Sequence, residues 1–263
     1  MMPDCSDLGP FLLVALLWPA AAWAQGGPPL VTDDPDTPGP AHWEVNLAMM
    51  LERDALEHRV ELPQVDVNYG VGRRVQLKFE APWVLVRDEA NERQEGVGTA
   101  GAGVKWRFIG QEGKRLAWSV YPQLEFNPVR SSVKENRAFL LPTEVTVEFA
   151  HAEINGEIGR RFVTGRSDSL IFGVSSEGHV APRLELVGEL HGEQSTGEPT
   201  TVLANFGARP KLTRHTLLLL AAGRSMHGPV ERGTHLYLYL GLQLNLPDQY
   251  SFKDPAGSLT PAR

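Results

Sequence analysis

Charged side chains recur at every second position along several segments of the chain. Lys78 and Glu80 are one example, and Lys105 and Arg107 are another. Because a strand points successive side chains to opposite faces, residues two apart share one face. On the inner face of a barrel such charges would set ion selectivity through their field. Pairing between neighbouring strands would instead make them a structural ladder, which we favour for most of them.

Two tyrosines near the C-terminus join these charges as candidates for the inner face. They alternate with leucines in the same manner. The candidate lumen-lining residues are Lys78, Glu80, Lys105, Arg107, Glu125, Glu144, Glu157, Arg161, Glu185, Glu189, Tyr237 and Tyr239.

Catalytic chemistry has weak support in the sequence. Ser225 with His227, or Ser119, would be the candidates for a lipid hydrolase in a barrel wall. Hydrolysis needs a serine and a histidine within hydrogen-bond reach and a group that orients the histidine. No nucleophile-elbow motif is present, so we predict no enzyme activity and no catalytic residues.

Metal chemistry is also weakly supported. Asp33, Asp34 and Asp36 offer the clustered oxygens that calcium prefers, but their spacing does not match an EF-hand. His191 lies between Glu189 and Glu193, and no histidine pair has HExxH spacing. We therefore predict no metal site and no cofactor, and we interpret the aspartates as part of a solvated leader.

The segment Leu236–Leu246 shows the element that would position the charged residues. Six leucines alternate with polar, aromatic or glycine residues along it. In a strand all six leucines lie on one face. The segment has the length of a tilted membrane-spanning strand, about 9–11 residues.

Similar alternation recurs from His42 onward and predicts about twelve strands, an even number, as in single-chain bacterial outer-membrane barrels. The connections alternate between longer ones, such as Arg87–Thr99, and shorter ones, such as Gly70–Arg74. Both features predict an all-β fold, a single antiparallel transmembrane β-barrel with an up-and-down meander. The strand that begins at His42 should pair with Leu236–Leu246 and close the barrel.

The choice between a soluble and a membrane barrel depends on which face points inward. A soluble barrel such as a lipocalin puts its apolar face inside, and its eight strands enclose one small ligand. Twelve strands enclose a lumen too wide to fill with leucines. Polar side chains and water can fill it, so we predict apolar residues outside, with a narrow or partly blocked passage.

Composition excludes several classes of protein. The formal net charge of -7 gives no basic surface for nucleic acid. The single cysteine is Cys5, so the mature chain would have no disulfide and no cysteine-based metal site. The mean hydropathy of -0.22 argues against a helical membrane protein.

The N-terminus is typical of an exported protein. Phe11–Trp18 is apolar, and Ala22 and Ala24 fit a signal-peptidase site. We predict a signal peptide at 1–24, a periplasmic leader rich in Pro and Asp at 25–41, the barrel at 42–246 and a polar tail at 247–263. The leader precedes the first strand directly, so it could instead fold into the periplasmic mouth as a plug.

Eight runs of sequence resemble the MetA-pathway of phenol degradation family. The runs are LVTDDPDTPGPAHWEVNLA, ELPQVDVNYGVGRRVQLKFEAPWVLV, GAGVKWRF, SVYPQLEF, FLLPTEVTVEF, NGEIGRRFV, PRLELVGELHGE and LYLYLGLQLNL. The resemblance covers about Leu30 to Leu246. It implies an outer-membrane barrel transporter of a Gram-negative bacterium, without naming a cargo.

These observations favour passive uptake of small solutes, with aromatic or hydrophobic molecules as candidates. The alternative is a structural or assembly barrel with a salt-bridged, closed lumen and no transport. The expected partners are outer-membrane lipids, a small-molecule solute and, during insertion, the barrel-assembly machinery; we expect no nucleic acid.

Overall fold

A computed structural model describes residues 27–88, 90, 92–110, 115–127, 133, 136–149, 152–229 and 233–247. The predicted signal peptide and nearly all of the predicted tail lie outside these residues. Within the described ranges the regular structure is all β-strand, and no helix there is long and apolar enough to cross a membrane.

The strand segments follow one another along the chain with short connections. They are β1 (His42–Arg53), β2 (Glu57–Val71), β3 (Val75–Asp88), β4 (Arg93–Val97), β5 (Ala100–Ile109), β6 (Leu116–Val120), β7 (Gln123–Phe126), β8 (Ala138–Glu148), β9 (Ala152–Val163), β10 (Ser169–Ala181), β11 (Leu184–Ser195), β12 (Thr201–Pro210), β13 (Thr216–His227) and β14 (Leu236–Pro247).

These segments form a closed antiparallel meander of twelve strands, which confirms the predicted fold class. Both β4 and β5 pair with β3, so together they make one barrel strand. In the same way β6 and β7 both pair with β5 and β8 and make the next one. The long loop predicted at Arg87–Thr99 is wrong in extent, because β4 continues the hairpin through most of it.

The barrel closes between β1 and β14. Their antiparallel register runs from His42 opposite Pro247 to Arg53 opposite Leu236. This pairing confirms the predicted seam. It also leaves neither edge strand open, which removes the aggregation hazard of an unpaired edge.

The apolar faces of the strands point outward. Leu236, Leu238, Leu240 and Leu242 are 38–47% exposed, whereas the alternating Tyr237 is 6% exposed. The outward side chains also include Leu47, Leu77, Phe79, Trp83, Val104, Leu124, Phe139, Ile154, Ile158, Phe162, Val174, Leu186, Leu190 and Phe206. A continuous apolar outer surface of this kind is stable against lipid and unstable against water.

An aromatic cluster covers one end of the outer wall. At the end where β1 begins, the rings of Trp43 and Tyr69 are 4.5 Å apart. Nearby, Phe108 lies 5.6 Å from Trp106 and 5.5 Å from Trp118. Amphipathic rings at the rim of a barrel are typical of a membrane interface, where headgroups meet hydrocarbon.

Candidate functional site

Residues 27–41, which we call the plug segment, lie inside the barrel. The segment contacts Lys105 on β5, Glu157 on β9, Glu189 on β11 and Arg209 on β12. These strands occupy different parts of the wall, so the segment crosses the lumen. Thr32 and Asp34 of the segment are fully or almost fully buried.

Glutamates of the wall bind the backbone of the plug segment. The Glu189 carboxylate accepts hydrogen bonds from the amides of Val31 at 2.9 Å and Thr32 at 2.7 Å. The Glu157 carboxylate accepts one from the amide of Asp33 at 3.1 Å. Asn205 donates to Glu189 at 3.1 Å and fixes its orientation. Hydrogen bonds to charged acceptors are about twice as strong as neutral ones, so these contacts anchor the segment.

Arg209 holds the start of the plug segment. Its Nε donates to the carbonyl oxygen of Pro28 at 3.2 Å, and its Nη2 donates to that of Gly27 at 3.1 Å. Its Nη1 contacts the carboxylates of Glu177 and Glu185. The prolines of the segment have no amide hydrogen to donate, but their buried carbonyl oxygens still need hydrogen-bond donors. Arg209 provides such donors.

Two basic side chains of the wall form ion pairs with aspartates of the plug segment. Lys105 Nζ lies 2.9 Å from Asp33 Oδ1 and also donates to the carbonyl oxygen of Asp34. The Tyr121 ring lies 4.8 Å from the same ammonium and adds a cation–π contact. Two residues further along β5, on the same face, Arg107 Nη1 lies 2.6 Å from Asp36 Oδ1.

Asp33 and Asp34 respond differently to these surroundings. Burial opposes ionisation of Asp33, but Lys105 and Lys78 outweigh it and hold the pKa below its ordinary value. Burial raises the pKa of Asp34 well above its ordinary value, and Lys105 compensates only in part. Asp33 therefore binds Lys105 as a charged carboxylate. The negative charge of an ionised Asp34 carboxylate is only partly balanced by Lys105.

The lumen contains a large open cavity beyond the plug segment, whereas little space remains between the segment and the wall near Asp33 and Lys105. Beyond the segment an open vestibule of about 560 Å³ has Glu61, Glu80, Glu125 and Arg161 among its lining residues. The void beside Asp33 and Lys105 is about 20 Å³. That space holds about one water molecule and no larger solute.

The predicted lumen-lining residues all lie on the inward face. Lys105, Arg107, Glu157 and Glu189 contact the plug segment, and Glu185 reaches it through Arg209. The remaining candidates contact other parts of the wall. Glu144 lies 3.9 Å from Lys105, Lys78 lies 3.2 Å from Glu80, Arg161 lies 2.6 Å from Glu125, and Tyr237 and Tyr239 pack with Ala48, Leu219 and Ala221 in an inward apolar patch.

Sequence reasoning missed Arg209 and Glu177. Both follow predicted strands by a few residues and continue their alternation. On β12 the inward-facing Asn205 precedes Arg209 by four residues, so both lie on one face. On β10 Glu177 follows the outward-facing Val174 by three residues and therefore lies on the inner face. Extending each pattern to the end of its strand would have found them.

No hydrolytic arrangement is present in the described residues. Ser119 donates its hydroxyl to the buried Glu144 inside the barrel. Ser225 and His227 are near neighbours on β13 but form no hydrogen bond with each other there.

Solved structures of outer-membrane channels and porins have a similar barrel fold. A search of protein-family models and a search of curated proteins gave no match. The COG4313 outer membrane channel from Pseudomonas putida F1 aligns with a TM-score of 0.68 at 12% identity, over 82% of this chain and 100% of that one. The NanC porin aligns at 0.56 and 6% identity, over 77% and 98% of the two chains. The KdgM porin aligns at 0.53 and 8% identity, over 76% and 98%.

These similarities support the outer-membrane barrel fold that the sequence resemblance implies. They do not single out the MetA-pathway family, so membership in that family stays a prediction.

Proposed function

We propose that the protein is a passive outer-membrane channel for small solutes, closed at one end by its own plug segment. The vestibule carries this proposal, because a barrel with only a structural role has no need of an open polar cavity of about 560 Å³. The apolar outer wall and the aromatic rim support a position in lipid. The solved channels and porins of similar fold agree with it.

Orientation follows from export through a cleaved N-terminal signal. With the N-terminus in the periplasm, the plug segment lies toward the periplasmic side and the vestibule opens to the outside. The signal peptide at 1–24, the tail at 247–263 and assistance from the barrel-assembly machinery belong to this proposal as predictions.

Aromatic or hydrophobic solutes are the cargo that we propose. The inward Tyr237 and Tyr239 pack with Leu219 and Ala221 and are only 6% exposed, so they stabilise the wall and present little surface to a solute. The implied membership in the MetA-pathway of phenol degradation family agrees with such cargo.

A structural barrel without transport is the second candidate. The observation that favours it is the network of ion pairs between the plug segment and the wall, which nearly fills one part of the lumen. Purified protein in planar bilayers separates the two functions. Stepwise conductance supports the channel, whereas silent bilayers containing a barrel that migrates as folded in unheated gels favour the structural role.

Neutralising Arg161 in the vestibule should make the pore more selective for cations. Arg161 pairs with Glu125 at 2.6 Å, so Arg161→Gln leaves that carboxylate unpaired at the solute path. We expect the cation-to-anion permeability ratio to rise by about twofold or more, since ring charges set selectivity through their field. The reversal potential in a salt gradient measures this ratio.

The matched control is Arg160→Gln, because Arg160 directly precedes Arg161 on β9 and is exposed on the outer face. It should leave the reversal potential unchanged. Equal shifts in the two variants would contradict a selectivity role for the vestibule charges.

A further inference from the structure

Three carboxylates meet where the plug segment touches the wall. Asp34 comes from the plug segment, Glu153 from β9 and Glu177 from β10. One oxygen atom of each lies within 4.8 Å of the other two. The three residues are 3%, 6% and 1% exposed, so solvent does little to screen their charges.

Oxygen atoms in this cluster lack partners. Asp34 Oδ2 and Glu177 Oε1 are buried without a hydrogen bond. Glu153 makes neither a hydrogen bond nor an ion pair with any residue that the structure describes, although it is 94% buried (6% exposed). The other oxygens of Asp34 and Glu177 face Lys105, at 3.9 Å, and Arg209, but each of these cations is shared with further carboxylates. Buried carboxylate oxygens without a partner are costly and need either a proton or a cation.

The wall itself brings like charges together at this point. Glu153 and Glu177 are directly opposite each other in the register of β9 and β10. Like charges in that position destabilise a sheet. Arg209 cannot compensate the whole cluster, because its donors are used by Glu177 Oε2, Glu185 and the carbonyl oxygens of Gly27 and Pro28.

We propose that Asp34, Glu153 and Glu177 bind one divalent cation, with calcium as the best match, that ties the plug segment to the barrel wall. The ligands are hard carboxylate oxygens, which calcium prefers. Calcium accepts irregular sets of 6–8 oxygens at about 2.3–2.6 Å, and carboxylates bind it through one or both oxygens, so three carboxylates supply a large part of its coordination shell. Magnesium demands a near-ideal octahedron and fits this cluster less well.

The proposed site joins the plug segment to the barrel wall, two parts of the molecule that are far apart along the chain. Asp34 lies in the segment before β1, whereas its two partners lie on strands far along the chain. A cation there adds to the hydrogen bonds that Glu189 accepts from the plug segment and that Arg209 donates to it, and it opposes release of the segment. It differs from the aspartate cluster considered from the sequence, because Asp33 and Asp36 are engaged by Lys105 and Arg107.

Calorimetric titration of the detergent-purified mature chain tests the site. The protein is treated with EDTA, freed of chelator and titrated with calcium chloride. We expect one saturable site per barrel. Asp34→Asn on the plug side and Glu153→Gln on the wall side should each weaken binding at least about tenfold, because each removes one of three charged ligands.

The matched control is Glu148→Gln, because Glu148 lies opposite Glu153 on the neighbouring strand β8 and is outside the cluster. It removes one negative charge from the same region and should change affinity by less than about twofold. Absence of a saturable site in the parent chain would overturn the proposal. Equal weakening by the control would also overturn it, since that indicates attraction to the general negative field.

Asp34→Asn keeps the test decisive if Glu153→Gln does not fold. Asp34 lies outside the strands, so its substitution leaves the barrel wall intact. Unchanged calcium affinity in folded Asp34→Asn protein would show that the plug segment provides no ligand and would refute the bridge.

Discussion

Deletion of residues 27–40 should raise the single-channel conductance of the barrel by at least about threefold, because pore conductance is limited by the narrowest passage. The plug segment leaves a void of only about 20 Å³ at its side, whereas the vestibule beyond it measures about 560 Å³. Removing the segment frees the part of the lumen lined by Lys105, Glu157 and Glu189. Planar-bilayer recordings of the two purified proteins measure the ratio.

Folding of the deletion variant must be verified independently. Its strands contact one another through a complete ring of backbone hydrogen bonds, so the barrel should form without the segment. A heat-modifiable shift in gel migration reports this closure. An unchanged conductance in a correctly folded deletion variant would refute the proposal that the plug segment closes the pore.

Substitution of Lys105 by methionine should produce the second-largest effect. The side chain of Lys105 is 2% exposed and lies 2.9 Å from Asp33 and 3.9 Å from Glu144. Breaking a buried ion pair by removing one partner costs about 3–5 kcal/mol. The cost of leaving Asp33 unpaired applies only while the plug segment is docked, whereas Glu144 belongs to the wall and loses its partner in both states. The ratio of open to closed pores should therefore rise through the Asp33 contact, by about a hundredfold or more. Open probability in single-channel records measures it.

Two further variants isolate the plug contact. Lys78→Met removes a lysine whose ion pairs are with wall residues, Asp66 at 3.8 Å and Glu80 at 3.2 Å. Lys78 acts on Asp33 through its field without an ion-pair contact, so its loss should raise the open probability much less than the loss of Lys105. Adding Asp33→Asn to Lys105→Met removes the uncompensated charge of the plug segment and should restore part of the closed population. Equal effects of the two lysine substitutions would contradict the anchoring role of Lys105.

The fold was accessible from sequence because one physical rule applies throughout the chain. In lipid every barrel strand must place apolar residues outside, so the alternation in Leu236–Leu246 recurs around the wall. The same rule identified the inward side of Lys105 and Glu189 without any knowledge of their partners. The continuous apolar run Leu217–Ala222 has no readable periodicity, and the structure places Leu219 inside with Tyr237 and Tyr239.

The extent of some strands was harder to predict. β2 begins at Glu57, but its alternation of apolar and polar residues is regular only from Val65 onward, because a register shift near Pro63 breaks it. Two barrel strands are interrupted, between β4 and β5 and between β6 and β7. A local pattern cannot show that the segments on either side of such an interruption pair with the same neighbour.

The contacts of the plug segment could not be predicted from residue patterns at all. The segment has no periodicity, and its partners on β5, β11 and β12 are remote in sequence. Arg209 illustrates the difficulty. It donates to the backbone carbonyl oxygens of Gly27 and Pro28, and because every residue type has such an oxygen, the side chains in the sequence do not indicate this contact.

The central claim is a passive solute channel closed from within by residues 27–41, and solute flux into proteoliposomes tests it most directly. The assay compares the parent chain with the 27–40 deletion variant at equal barrel content, using small neutral and aromatic solutes. We predict slow but measurable flux through the parent chain and several-fold faster flux through the deletion variant. Liposomes that stay impermeable with both folded proteins would contradict the claim.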